Sequence, residues 1–447
     1  MKLQFSFEIS KGAKTALDRL KKGGYEAYIV GGSVRNMMLG SAVDDFDITT
    51  SALPEETKEL FPDYTVVETG IKHGTVTVVI NGENIEITTY RQEGEYSDSR
   101  HPDKVEFTTS LELDLSRRDF TVNALAYDGE STVVDLYGGK GDIEDKVIRA
   151  IGNPYDRFNE DALRILRAVR FSSVLGFTVE EETRNAMLKC KHLLSKISKE
   201  RIAVEINKFL CGKNVKEALL DNWEILAEII PEIAKMQGFD QKNRHHIYDI
   251  LTHTAVAIEN TLPISHLRLA ALLHDTGKIY TVSVDENGEQ HFYAHPHKSE
   301  EIARRYLNEY KYDNFTKDRV CLLVKIHDTV VEEDKIYIKK RLNRIGKEAF
   351  FELINLQRAD NKAQNPVYDR TAHFDAITEI ANKVLSEAEC FSLKDLAING
   401  RDLIEAGFSK GKLLGEILDY LLKEVIEERL ENKKECLLQS ARDRFGG

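Results

Sequence analysis

The chain has little that would tie it to a membrane or an oxidising compartment. Its 447 residues include only five cysteines, Cys190, Cys211, Cys321, Cys390 and Cys436, scattered with no CxxC pair. That excludes a disulfide framework and a zinc knuckle, and it fits a reducing compartment. No apolar run approaches the roughly 20 residues that a membrane-spanning helix needs. The opening stretch, MKLQFSFE, lacks the apolar core of a secretory signal. A cytoplasmic protein with no membrane association is expected. Positive charge is also in deficit: 62 Lys and Arg stand against 75 Asp and Glu, a net charge of −13. This argues against a chain coated in nucleic acid, though not against an enzyme that meets RNA through local basic patches. Such patches occur at Arg117-Arg118, from Lys196 to Lys208, and at Lys339-Lys340-Arg341. Hydrophobic content of 42% with 31% charged residues describes a globular protein. The length suggests roughly three domains. Nothing in the pattern sets an oligomeric state.

What is present begins with YIVGGSVRNMMLGSAVDDFDITT, Tyr28 to Thr50. Ala27-Tyr28-Ile29-Val30 reads as a short strand. Gly31-Gly32-Ser33 follows as a turn. Val34, Met37, Met38 and Leu39 then recur at helical spacing, and the chain returns to an extended Asp45-Phe46-Asp47-Ile48. Strand, glycine turn, helix and acidic strand make a layout for handling phosphate. Glycine lets the backbone approach a ligand closely. Free N–H groups at a helix start attract anions. Asp45 and Asp47, two apart on a strand, share a face. Two carboxylates there can hold Mg²⁺, with Phe46 turned into the core.

A helix is expected over about residues 11–23 and a short one from Pro54. Strands are expected over Tyr64–Glu68, Thr75–Ile80 and Ile85–Tyr90, with Asn81-Gly82 as a hairpin turn. The last strand carries Glu86, with Ile85 and Ile87 on the opposite face. The hairpin can therefore bring a third carboxylate beside Asp45 and Asp47. A polar loop follows from Arg91 to Asp103. In RRDFTVNA, Arg117 to Ala124, Arg118 can fork onto phosphate oxygens. Asp119 and Asn123 can hydrogen-bond ribose hydroxyls. Near Asn153-Pro154 the strands give way to amphipathic helix.

Together these motifs resemble the class II CCA-adding enzymes and bacterial poly(A) polymerases, template-independent nucleotidyltransferases that extend RNA 3′ ends. The resemblance implies an α+β multidomain fold. A nucleotidyltransferase head with a mixed sheet would span 1–150 and a helical neck 151–235. An HD domain would span 236–370 and a helical tail 371–447. It implies Asp45, Asp47 and Glu86 as catalytic carboxylates holding Mg²⁺. Gly31, Gly32, Ser33, Arg35, Arg118, Asp119 and Asn123 would surround the nucleotide. Two departures stand out. The family's Val-Arg-Asp after the two glycines is Val34-Arg35-Asn36 here, which weakens the expected positioning of Arg35. Its Asp-Gly-Arg-Arg-Pro loop motif is Asp98-Ser99-Arg100-His101-Pro102.

Glu160-Asp161-Ala162-Leu163-Arg164 is expected to open a helix with Asp161 and Arg164 on one face. An intrahelical salt bridge is the plain reading. A sharper one comes from hydrogen-bond chemistry, since Arg only donates and carboxylate only accepts. Cytosine and adenine present an amino donor beside a ring-nitrogen acceptor. Uracil and guanine present the reverse. An Asp–Arg pair can therefore accept C and A and reject U and G. The resemblance gives this EDxxR motif the part of an amino-acid template for CTP and ATP, with a tRNA 3′ end as primer. Lys199 through Phe209 resembles the family's neck motif and reads as structural.

From about Gln241 the chain changes character. His253, His274-Asp275 with Thr276-Gly277-Lys278, and Asp360 resemble the HD metal-dependent phosphohydrolases. His297 and His327 are further candidate ligands, and Asp328 competes with Asp360 for the closing place. Imidazole with carboxylate suits Mn, Fe, Ni or Zn. In the tail, Gly411 and Lys412 at a helix start are candidates for an RNA phosphate. Three alternatives stay open. They are a poly(A) polymerase, a specialised A-adding or CC-adding enzyme, and an HD phosphohydrolase acting on RNA ends or nucleotides.

Overall fold

The computed structural model describes residues 2–43, 45–93, 105–387 and 389–446. The chain divides into two compact units, Met1–Ala234 and Lys235–Gly447. The described strands of the first unit are β1 (Lys2–Gln4), β2 (Ala27–Val30), β3 (Asp47–Thr50), β4 (Thr65–Val67), β5 (Thr75–Ile80), β6 (Glu83–Thr89), β7 (Arg91–Glu93), β8 (Val105–Phe107), β9 (Leu125–Tyr127), β10 (Thr132–Asp135), β11 (Val147–Ile148) and β12 (Thr178–Val179), the last two a short parallel pair. Eight of them form one sheet in the order β1-β10-β9-β2-β3-β6-β5-β4. The pair β7 and β8 stands apart.

One pairing in the large sheet, β3 with β6, is parallel, and its register sets Asp47 directly opposite Glu86. Alternation builds the strands, since β5 reads TVTVVI with every second residue buried. Asn81 (φ 53°) and Gly82 (φ 84°) both take the left-handed conformation that a two-residue hairpin turn requires. The expected acidic strand at Asp45–Ile48 begins two residues later. β2 ends at Val30, which pairs with Asp47, so no ladder partner remains for Asp45. Phe46 is buried, as expected.

The first helices are α1 (Lys11–Lys22), α2 (Gly32–Met38), α3 (Pro54–Leu60), α4 (Leu111–Ser116) and α5 (Gly139–Glu144). α1 starts where Ser10 Oγ accepts from Ala13 N at 3.1 Å. It buries Ala13, Ala16, Leu17 and Leu20 at helical spacing against the sheet. Next come α6 (Pro154–Glu160), α7 (Leu163–Leu175), α8 (Glu181–Cys190) and α9 (Lys199–Leu210), with α7 packed on α9 and α6 on α8. The helix expected to open at Glu160 is therefore two helices. Asp161 is extended between them (φ −140°, ψ 103°).

Among its described residues the second unit is helical apart from a hairpin of two-residue strands, Ser283–Val284 with Gln290–His291, and an isolated bridge between Asp240 and Asp249. Helices Ile250–Asn260, Ser265–Leu273, His295–Glu309, Asn314–Ile326 and Lys347–Lys362 pack together. The C-terminal stretch has its own apolar cluster, with Ile398, Leu403, Ile417, Leu421 and Leu437 among its buried members. Its last helix runs from Lys434 to Phe445. Among the described residues no helix is long and apolar enough to cross a membrane.

Candidate active site and a buried histidine centre

A cleft of about 620 Å³ in the first unit is lined by Gly31, Gly32, Arg35, Asp47, Glu86, Arg118, Asp119, Asn123, Asp161 and Arg164. Candidates spread over more than a hundred positions thus share one cavity. Gly31 sits at φ 72° and ψ −138°, a conformation that favours glycine. A Cβ there would meet Arg118 Nη1 at 3.4 Å. The turn lets the start of α2 face the cleft.

Asp47 and Glu86 lie side by side on β3 and β6. Burial, then Glu86 and Asp45, push the Asp47 carboxyl up to about 6, against the opposing pull of Arg118. Crowded like charges of this kind fit a divalent cation. Asp45 precedes the strand, and the Ser33 hydroxyl donates to its carbonyl at 2.8 Å. Ser33 is thereby committed to holding the acidic segment.

The expected ribose ligands are engaged elsewhere. Asp119 Oδ1 accepts from Phe120 N (2.9 Å) and Asn123 Nδ2 (3.0 Å), and Oδ2 accepts from Arg167 Nε (2.7 Å). Burial would raise the Asp119 carboxyl, but Arg167 and Asn123 outweigh it and hold it at about 2. Asn123 Oδ1 accepts from Arg35 Nη1 at 2.6 Å. Asn36, the departure from the family's Asp, still holds Arg35: its Oδ1 accepts from Nε (3.2 Å) and Nη2 (2.9 Å). Arg35, Arg167 and Arg170 surround the Phe171 ring with guanidinium carbons 5.1, 5.6 and 4.3 Å from its centroid.

Asp161 and Arg164 both face the cleft, each with its own partners. Asp161 Oδ1 accepts from Leu163 N at 3.0 Å, and Oδ2 from Arg201 Nη2 at 2.8 Å. Arg164 donates to the carbonyls of Arg157 (3.1 Å) and Arg117 (2.9 Å) and pairs with Glu160. The two residues do not share one helix, because α7 begins after Asp161.

Arg167 and Arg170 line the cleft and escape sequence reasoning, although they continue the three-residue spacing of Arg164 along α7. Asp114, behind the lining, escapes it too, although Arg117 and Arg118 follow three and four residues later. It is fully buried, and it accepts from Thr49 Oγ1 (3.1 Å), Arg117 Nε (3.0 Å) and Arg118 Nη2 (3.2 Å). Ser99 and His101 of the polar loop lie outside the described residues.

The second unit gathers His253, His274, Asp275 and Asp360, and beside them Asp275, His295 and His327, each group with ligand atoms within 4.8 Å. Among the described residues only these two groups bring three such atoms together. His253, His274, His295 and His327 each place Nδ1 within 2.7–3.1 Å of a backbone carbonyl, which leaves Nε2 facing the centre. Proteins present imidazole to metals in this way. Asp275 borders both groups. Oδ2 is 3.3 Å from His253 and His274 Nε2, and Oδ1 is 3.3 Å from His295 Nε2. Burial opposes charge on His274, but Asp275 and Asp360 outweigh it and push its pKa up. His274 Nε2 is buried without a hydrogen-bond partner, which fits an atom meant for a cation.

His297 is a correction: it is exposed, and His295 occupies the place expected for it. His295 opens its helix, and two residues onward the side chain turns through about 200° to the outer face. Asp360 is in the cluster, whereas Asp328 only lines the adjoining cavity of about 470 Å³. In the tail, Gly411 precedes helix Lys412–Ile426, and Lys412 is 93% exposed with Glu416 at 3.6 Å.

Three families of known proteins match parts of the chain. Residues 27–149 match the family described as poly A polymerase head domain. Residues 176–237 match "Probable RNA and SrmB- binding site of polymerase A", and 291–441 match tRNA nucleotidyltransferase domain 2. The chain is 35% identical over 444 residues to a CCA-adding enzyme of Ligilactobacillus salivarius, covering 97% of this chain and 96% of the relative. It is similar to the crystal structure of the Bacillus stearothermophilus CCA-adding enzyme in complex with CTP. That match has 30% identity and a TM-score of 0.73, and covers 97% of each chain. The Thermotoga maritima CCA-adding enzyme complexed with tRNA shares the fold, at 18% identity and a TM-score of 0.59, covering 99% of each chain.

Proposed function

Since the chain belongs to the family of CCA-adding enzymes, we propose that it adds or repairs the 3′-terminal CCA of tRNA from CTP and ATP. One observation carries the residue-level reading: a single cleft is lined by the Asp47–Glu86 pair and by Asp161 with Arg164. Asp45, Asp47 and Glu86 would hold Mg²⁺. Bound there, divalent ions supply the charge that activates the RNA 3′-hydroxyl and stabilises departing pyrophosphate. The remaining work belongs to the chain's own groups. Gly31 and Gly32 leave backbone N–H groups open to phosphate oxygens. Arg118 adds a fork donor to the triphosphate. Asp119 and Asn123 act through Arg167 and Arg35, which they hold in place, and Ser33 fixes the segment carrying Asp45. Asp161 accepts from the amino group of C or A, and Arg164 donates to the neighbouring ring nitrogen. Uracil and guanine would leave these groups facing like partners, at about 1–3 kcal/mol per mismatched group. In the tail, Gly411 and Lys412 would meet an RNA phosphate.

The test offers Mg²⁺, CTP and ATP with tRNAs ending at the discriminator base, in C and in CC, and sequences the products. Growth that stops at CCA on all three is expected. A single A on the CC end alone would mean an A-adding specialist, arrest at CC a CC-adding one, and long A tails a poly(A) polymerase.

A second reading rests on the two ligand groups that share Asp275. His253, His274, Asp275 and Asp360 would hold one transition metal ion (Mn, Fe, Ni or Zn), and His295 with His327 a second. Ions there would supply Lewis acidity towards a phosphate ester. Asp45→Ala/Asp47→Ala protein loaded with Mn²⁺ should release nitrophenolate from bis(4-nitrophenyl) phosphate, and His274→Ala should abolish this. No release from metal-loaded protein would remove phosphohydrolase activity from the account.

A further inference from the structure

The base-selecting reading of Asp161 leaves a gap: what orients its carboxylate? Asp161 stands in the break between α6 and α7, extended at φ −140° and ψ 103°, so no helical backbone fixes its side chain. One oxygen is taken up locally by Leu163 N at 3.0 Å. The other accepts from Arg201 Nη2 at 2.8 Å, from a helix 40 residues away in sequence. Arg164 is directed to Glu160 and to the Arg157 and Arg117 carbonyls.

Arg201 also lines the cleft. Its Nη1 is buried and has no hydrogen-bond partner. A buried donor without an acceptor is unfavourable. Arg201 thus holds the selecting carboxylate with one nitrogen while its side chain lines the nucleotide cleft. A planar, always-charged fork can do both at once, and lysine cannot.

We propose that Arg201 is a specificity-determining positioning residue, which fixes the Asp161 carboxylate in the orientation that accepts C and A and rejects U and G. This rests on the reading of Asp161 as a base selector. It gives α9, which reads from sequence as a structural neck helix, a direct part in nucleotide choice. Each Asp161 oxygen has two acceptor positions. With Leu163 N and Arg201 Nη2 each occupying one, the free lone pairs are left in a defined direction. Without Arg201 the carboxylate turns about its side-chain bonds and discriminates poorly.

The experiment measures kcat and KM for CTP, ATP, UTP and GTP singly, on tRNA primers at each stage, for wild type, Arg201→Gln, Arg201→Lys, Asp161→Ala and the Asp161→Ala/Arg201→Gln double variant. Arg201→Gln is expected to lower the CTP-to-UTP ratio of kcat/KM roughly tenfold, the scale of one lost charged hydrogen bond. Arg201→Lys keeps the charge without the fork and should recover only part of that ratio. Adding Arg201→Gln to Asp161→Ala should change the ratio no further, because the group it positions is gone. A purely structural Arg201 would lower all four nucleotides in proportion and leave the ratio intact, which overturns the inference. So would a further loss of the same size in the double variant. If Asp161→Ala itself leaves C and A selection unchanged, the base-selector reading fails. If it abolishes selection while Arg201→Gln does not, only the positioning role fails. Should Arg201→Gln not fold, the ratio for Arg201→Lys decides the same question.

Discussion

In the first unit the acidic groups sit on neighbouring strands of an open cleft, and in the second at the buried ends of packed helices. Asp47 and Glu86 are brought together by strand register, with Asp45 on an irregular segment ahead of β3. His253, His274, Asp275, His295 and His327 are all buried, and their imidazoles are oriented by backbone carbonyls. A cleft of the first kind suits an ion that arrives with a triphosphate and leaves with pyrophosphate. A centre of the second kind suits an ion held through many turnovers. The arginine content follows the same logic. The cleft is ringed by guanidiniums for a polyanion, whereas the histidine centre has Lys278, at 2.7 Å from Asp275, as its buried cation.

The largest effect should come from Asp45→Ala or Asp47→Ala. Nucleotide addition should fall at least about 10³-fold, the scale of removing transition-state charge stabilisation. The far-ultraviolet circular dichroism spectrum should be unchanged. A double variant that still added nucleotides would sink the assignment. The next test separates the units. His253→Ala and His295→Ala should each lower bound transition metal by about one ion per chain, read by elemental analysis, with CCA addition within about twofold of wild type. A joint loss of addition would break the comparison drawn above.

A smaller effect concerns Asp119. Its carboxyl is held at about 2 in the folded chain. A depressed acid contributes stability that is present above its unfolded value near 4 and is lost as pH falls towards 2. The contribution is roughly 2 kcal/mol. Arg167→Met should remove most of it at pH 7, and the gap to wild type in urea unfolding should narrow at pH 3. An equal gap at both pH values would mean that Arg167 stabilises the fold by packing instead. The smallest effect has the opposite sign. Asp47 is partly desolvated in the cleft and stands among like charges, and its carboxyl is raised to about 6. Its side chain reaches solvent, and screening limits the repulsion to about 1 kcal/mol. In metal-free protein Asp47→Asn should therefore raise the unfolding temperature by a few degrees above pH 6. The gain should fade as pH falls and the wild-type carboxyl protonates. A decrease at pH 7 would mean that Asp47 is held by favourable contacts.

Much of this was legible from local spacing. Strands Ala27–Val30 and Thr75–Ile80 and the Asn81-Gly82 turn follow from alternation and turn chemistry, which depend on neighbours within a few residues. Glu86 beside Asp47 and the grouping of His253, His274, Asp275 and Asp360 join distant residues, and only the family resemblance pointed to them. The shift of β3 from Asp45 to Asp47 was not local, since it depended on where β2 ran out of hydrogen-bond partners. Likewise His295, not His297, enters the second cluster because the helix begins at that residue.

The sequence by itself determined which chemistry this chain carries, through residue types that only donate, only accept or bind cations at fixed spacing. Tertiary structure alone decided how those groups are employed. It gave Asp119 to Arg167 and Asp161 to Arg201. Such partners lie up to 48 residues apart in sequence. Their pairing depends on how helices and strands pack, and no local pattern in the chain records it.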